Sequence, residues 1–164
     1  MLAARIKDRI ESYQFYSIGY VKGYSLKFHK LSKDTSGKAS IFYTGNQEDL
    51  VWGVIGEIND EDKSILDKYE GLGKGYNEKS IDVVLKNNST MEATVYVADE
   101  KSIDDKLLPF DWYKEFVLNG AIENSLPKGY IENIRLVDCR IDDNEERREK
   151  NYKILNEAGT QHRL

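Results

Sequence analysis

The chain has 164 residues, of which 40% are hydrophobic and 11% aromatic, which is enough for one packed domain and excludes a globally disordered protein. Its net charge of −5 gives no electrostatic reason to bind nucleic acid or an acidic membrane surface, and no apolar stretch is long enough to span a membrane. A single cysteine, Cys139, excludes an intrachain disulfide and a cysteine-based zinc site, and the two histidines, His29 and His162, argue against a multi-histidine metal site or a Ser-His-Asp hydrolase. The first residues show no signal-peptide pattern, so a cytoplasmic protein is expected.

The first half of the chain predicts one short helix followed by strands. Apolar residues four apart predict the helix over residues 2–11. Alternating apolar and polar residues over 26–29 predict a half-buried strand, and residues 39–43 predict another. The mostly apolar run over 51–58 is typical of a central strand. Two glycines in this run leave room for a bend or for the close approach of a ligand or backbone.

The second half predicts a short helix, a hairpin and then further helices. The predicted elements are a helix over 61–70, hairpin strands over 81–85 and 91–97, and helices over about 110–124 and 129–137. The segment 142–150 is almost entirely charged, which predicts an exposed helix or a mobile tail. Strands in a run with helices gathered late predict an α+β fold around a mostly antiparallel sheet or small barrel.

Glu70 is the most informative candidate for chemistry, because it ends the predicted helix just before the glycine-rich loop 71–75. The helix dipole disfavours the ionised form of a carboxylate there, which suits general acid–base catalysis, although an ordinary exposed glutamate is the alternative. Asp67 shares its helix face, so a carboxylate pair is conceivable beside the alternative of a solvated aspartate. Tyr76 and Tyr113 are candidates to contact a ligand through their phenol groups, and core or rim tyrosines are the alternative.

Several segments in consistent order resemble the γ-glutamylcyclotransferase family over about residues 2–137. They are residues 23–28, 37–41, 48–58, 66–71, 75–76 and 113–130. The resemblance implies an α+β fold with a small mixed β-barrel and flanking helices. We expect this domain to cover residues 1–141 and to be followed by a charged C-terminal helix or tail over 142–164.

The resemblance also implies an enzyme that needs no cofactor or metal. Members of the family convert a γ-glutamyl amino acid or γ-glutamyl amine to 5-oxoproline and the free amine. Matched to this sequence, the catalytic glutamate is Glu70 and the substrate-binding tyrosines are Tyr76 and Tyr113. The expected partner is a small γ-glutamyl substrate, with no nucleic acid and no membrane, and a homodimer is an option because some members dimerise.

One departure from the family pattern concerns the start of the sequence. In the family, a strand ending in Tyr-Gly-Ser-Asn precedes the first helix and holds the substrate's α-carboxylate through backbone N–H groups. This sequence contains no such tetrapeptide. We therefore expect this chain to lack one strand and part of the substrate site, and to be less active than a form extended upstream. The alternative hypothesis is a non-catalytic binding module that retains the fold.

Overall fold

The computed structural model describes residues 6–161, in which six strands come before most of the helices. The strands are β1 (Gln14–Lys22), β2 (Tyr24–Leu31), β3 (Gly37–Tyr43), β4 (Leu50–Glu57), β5 (Tyr76–Leu85) and β6 (Thr90–Ala98). The helices are α1 (Asp60–Glu70), α2 (Asp111–Glu123), α3 (Lys128–Arg135) and α4 (Glu145–Gln161). Of the predicted N-terminal helix over 2–11, residues 2–5 lie outside the described residues, residues 6–7 are helical, and residues 8, 9 and 11 form turns, with Ile10 buried.

The six strands form two antiparallel sheets that pack against each other. One sheet has the order β4-β1-β5-β6, and the other pairs β2 with β3. At Gly23, with φ +77°, the chain passes from the first sheet to the second. The Ala98 N–H of β6 donates to the Ser40 Oγ of β3 over 2.9 Å, and β2 contacts β4. The expected α+β class with flanking helices is therefore confirmed.

Strand β4 lies at the edge of its sheet, so the predicted central position was wrong. Its apolar sequence is explained by contacts on both faces: Val51 packs in the core between the sheets, and Trp52 packs against the helices. Of its two glycines, Gly56 leaves room for the Tyr13 ring, since a Cβ there would lie 2.1 Å from it. A Cβ at Gly53 would meet open space.

Strand β2 departs from simple alternation just before Lys30. Phe28 and His29 are consecutive, yet both are buried, with exposed fractions of 7% and 3%. The pairing of β2 with β3 shifts register between Lys27 and Lys30, and such an irregularity turns a side chain to the other face. The shift explains why His29 lies inside, where the sequence pattern predicts a polar face.

Helix α1 matches its prediction in extent but is held mainly by polar contacts. None of its side chains is fully buried. At its start the Ser12 hydroxyl donates to Asp62 and accepts from the Asn59 N–H over 3.0 Å. At its end Gly71 adopts a left-handed conformation and its N–H donates to the Asp67 carbonyl. The helix is therefore fixed at both ends, and Glu70 is its last residue.

The charged segment near the C-terminus contains a buried carboxylate, Asp142, just before helix α4. Asp142 is 1% exposed, accepts from Trp112 Nε1 over 2.8 Å and is bound by Arg147. Leu155 of α4 packs in the same cluster as Trp112 and Phe116. The charge run therefore contains a core contact that its composition did not indicate. None of the described helices has an apolar stretch long enough to cross a bilayer.

Candidate active site

A cavity of about 600 Å³ lies where β2, β3, α1, β5, β6 and α2 converge. Glu70, Tyr76 and Tyr113, the three site residues that the sequence predicts, all line it. They come from the end of α1, the start of β5 and the first turn of α2. The fold thus brings together three side chains that are up to 43 positions apart in the sequence.

The glycine-rich loop places Tyr76 beside Glu70. Gly71, Gly73 and Gly75 all have positive φ angles of 75°, 72° and 114°, which glycine adopts readily. The Gly73 N–H donates to the Tyr76 carbonyl over 2.9 Å, so the chain reverses within a few residues. Burial raises the pKa of Tyr76 well above its usual value, and the charges of Tyr113 and Glu70 raise it further. Tyr76 therefore stays protonated near neutral pH and lies within electrostatic reach of Glu70.

Both candidate tyrosines bind the backbone of Ala39 in β3. The Tyr76 hydroxyl donates to the Ala39 carbonyl over 2.9 Å. The Ala39 N–H donates to the Tyr113 hydroxyl oxygen over 3.2 Å. These two bonds hold the phenol groups against one residue of β3, so the cavity wall has a defined shape.

Asp67 does not share the cavity with Glu70. Its carboxylate accepts from the Lys63 ammonium over 2.5 Å and from the Tyr96 hydroxyl over 2.6 Å. The bonds from Lys63 and Tyr96 lower the pKa of Asp67. The carboxylate is thus an ionised partner of Lys63 that ties α1 to β6, and the structure gives neither the conceivable pair nor a freely solvated aspartate.

Of the cysteine and histidine residues counted in the sequence, His29 and Cys139 do not line the cavity. The His29 Nδ1 is 3.2 Å from Asp105, and its Nε2 is buried with no hydrogen-bond partner among the described residues. Cys139 is partly exposed and does not line the cavity. His162 lies outside the described residues. Within the described part of the chain, no three His, Cys, Asp or Glu side chains are grouped to hold a metal ion.

Several basic side chains of the cavity wall were missed from the sequence. They are Arg9, Lys30, Lys33, Lys38, Lys68 and Lys74. Because they come from separate elements, no motif marks them. A second cavity of about 430 Å³, between the starts of β2 and β4 and helix α3, contains none of the predicted site residues.

Comparisons with known proteins agree on one family. The model of the AIG2-like family matches residues 50–134, which include Glu70, Tyr76 and Tyr113. The γ-glutamylcyclotransferase of Bos taurus is 30% identical over 143 residues, covering 84% of this chain and 74% of the relative. That of Homo sapiens is 27% identical over 144 residues, with the same coverage of 84% and 74%.

Solved structures show the same fold. A structure of a γ-glutamyl cyclotransferase superposes with a TM-score of 0.81 at 23% identity, over 95% of this chain and 92% of that chain. A crystal structure of an uncharacterized protein from Homo sapiens gives a TM-score of 0.80 at 23% identity, over 94% and 92%. The family model, the curated relatives and the fold agree, and the chain belongs to the AIG2-like family, the family of the γ-glutamylcyclotransferases.

Proposed function

We propose that this protein is a γ-glutamylcyclotransferase that converts a γ-glutamyl amino acid or γ-glutamyl amine to 5-oxoproline and the free amine. The observation that carries the proposal is the convergence of Glu70, Tyr76 and Tyr113 on one cavity. The comparison with curated relatives supports it, since both relatives are named γ-glutamylcyclotransferases.

In the proposed reaction the substrate's own α-amine attacks its γ-carbonyl carbon. A bond forms between the α-nitrogen and that carbon, the γ-amide C–N bond breaks, and the five-membered lactam closes. The step is intramolecular, so the main task of the protein is to hold the substrate folded in the attacking geometry. The reaction is redox-neutral and consumes no water.

Glu70 moves the proton in this proposal. The α-ammonium must lose a proton before it can attack, and the leaving nitrogen must gain one. A half-buried carboxylate at the cavity wall suits both transfers, taking the proton first and returning it to the leaving amine. Tyr76 is held protonated by burial, so it shapes the cavity and does not compete as a base.

The test is the release of 5-oxoproline from γ-glutamyl-alanine and from γ-glutamyl-ethylamide by purified Glu70→Gln. We expect turnover to fall by about 10²-fold or more, the usual contribution of a positioned acid–base group. Glu61→Gln, an exposed position on the same helix, is the matched control and is expected to keep full turnover.

Circular dichroism would show that both variants are folded. Turnover by Glu70→Gln within a few-fold of the unmodified protein would reject the proton-transfer role. No 5-oxoproline from either substrate with the unmodified protein would favour the non-catalytic binding module.

A further inference from the structure

The candidate active site concentrates positive charge in an acidic protein. The chain carries a net charge of −5, yet six basic side chains line the cavity. Glu70 is the one carboxylate among the described lining residues. A cleft lined by charges of one sign raises the local concentration of oppositely charged ligands. The cavity therefore favours anions.

Within residues 6–161, most of these cations have no carboxylate partner in a salt bridge. Lys38 is the exception, because its ammonium group bonds Asp34 over 2.8 Å. The wall has four further lysines, Lys30, Lys33, Lys68 and Lys74. None of them forms a salt bridge with any residue in the described part of the chain. Their charge is available to a ligand.

Lys30 is the half-buried member of this unpaired group, whereas Lys33, Lys68 and Lys74 are exposed at the rim. Its Nζ lies 4.9 Å from the centre of the Tyr76 ring. The loop leaves room for it at Gly75, where a Cβ would lie only 2.8 Å from the Lys30 Cε. Burial lowers the pKa of Lys30, the charge of Asp34 raises it and that of Lys33 lowers it. A partly desolvated ammonium of this kind gains from a bound anion.

We propose that Lys30 binds a carboxylate on the leaving half of the substrate and so selects γ-glutamyl compounds whose leaving amine carries one. This inference rests on the proposed cyclotransferase function. Its basis is the half-buried, unpaired ammonium of Lys30 against Tyr76, in a wall with further unpaired lysines. A cationic leaving amine would be repelled by the same wall, and a neutral one would gain nothing from it.

The γ-glutamyl half has an α-carboxylate of its own, so the experiment must separate the two anions. γ-Glutamyl-alanine and γ-glutamyl-ethylamide serve as the substrate pair because they differ only in the carboxylate of the leaving amine. Lys30→Met removes the charge and keeps the apolar stem, and Lys30→Arg restores a cation. Lys27→Met, an exposed position on the same strand outside the cavity, is the control.

We expect Lys30→Met to lower kcat/KM for γ-glutamyl-alanine by about tenfold to hundredfold, mainly through KM, as loss of a charged hydrogen bond predicts. The value for γ-glutamyl-ethylamide should stay within about twofold. Lys30→Arg should recover most of the preference, and added salt should weaken it in the unmodified protein.

Equal losses for both substrates, or no loss for either, would overturn the role of Lys30 while leaving the cyclotransferase activity in place. Absence of 5-oxoproline from both substrates with the unmodified protein would instead overturn the proposed function and, with it, the inference.

Discussion

Replacing Asp142 by asparagine tests how strongly helix α4 is tied to the domain. The Asp142 carboxylate is buried and accepts hydrogen bonds from Trp112 Nε1 over 2.8 Å, from the Asn144 N–H over 3.0 Å and from Arg147 Nε over 2.6 Å. Asparagine keeps one acceptor oxygen but loses the charge, and its amide group would face the N–H groups of Arg147. The substitution therefore removes an ion pair and leaves donors without acceptors.

The expected magnitude follows from this geometry. Breaking a buried ion pair by changing one partner costs about 3–5 kcal/mol. The Arg147 side chain is 36% exposed and can turn toward water, which places the loss at the lower end, about 3 kcal/mol. For a chain of this size that corresponds to a fall in Tm of about 6–12 °C.

The assay is thermal unfolding followed by circular dichroism at pH 7. Asp143→Asn, an exposed neighbour, is the control and should change the free energy of unfolding by no more than about 0.5 kcal/mol. A Tm for Asp142→Asn within about 2 °C of the unmodified protein would refute the reasoning, because it would mean that losing the ion pair lowers the free energy of unfolding by much less than about 3 kcal/mol.

The pH dependence gives a second readout of the same contact. The bonds from Arg147 hold the pKa of Asp142 far below its usual value of 3.8, with help from Trp112 and Asn144. A carboxyl group with a depressed native pKa stabilises the fold fully above its unfolded pKa and loses that contribution as the pH falls. The stability gap between the unmodified protein and Asp142→Asn should therefore be constant near neutral pH and shrink below about pH 4.

Two further changes test the fold around the cavity. Gly37→Ala should lower the free energy of unfolding, measured by urea denaturation, by about 3 kcal/mol or more, because the new Cβ would lie 2.0 Å from the Phe28 carbonyl oxygen. Gly53→Ala is the control, since a Cβ there would meet open space and should leave the stability nearly unchanged. Equal stabilities of the two variants would contradict this reasoning. Tyr113→Phe removes the acceptor of the Ala39 N–H and should lower the free energy of unfolding by about 1–2 kcal/mol in the same assay, and an unchanged midpoint would count against that bond.

Features set by local sequence were predictable. The helix before the glycine loop extends over Asp60–Glu70 against a predicted 61–70, because capping and glycine conformation act over a few residues. The position of Glu70 follows directly from this. The hairpin strands were also found. Strand β5 begins five residues before the predicted 81–85, in the mostly exposed segment 76–80, and β6 is longer than the predicted 91–97 by one residue at each end.

Features set by distant partners were not predictable. The edge position of β4 depends on strand order, which its apolar residues do not encode. Asp142 looks solvated within its charge run because its partner Trp112 lies 30 positions earlier. The lysines of the cavity wall gain meaning only when β2, α1 and the loop converge, so a single sequence gives no signal for Lys30.

The hydrogen bonds of Tyr76 and Tyr113 to the backbone of Ala39 make the candidate site dependent on the register of β3. Both contacts are to main-chain atoms, so the alanine side chain is not what they recognise. A slip of β3 by one residue would move the N–H and the carbonyl away from both tyrosines at once, because neighbouring residues of a strand face opposite sides. Errors in the pairing of β3 with β2, even those far from Glu70, would therefore appear directly as a misshapen cavity.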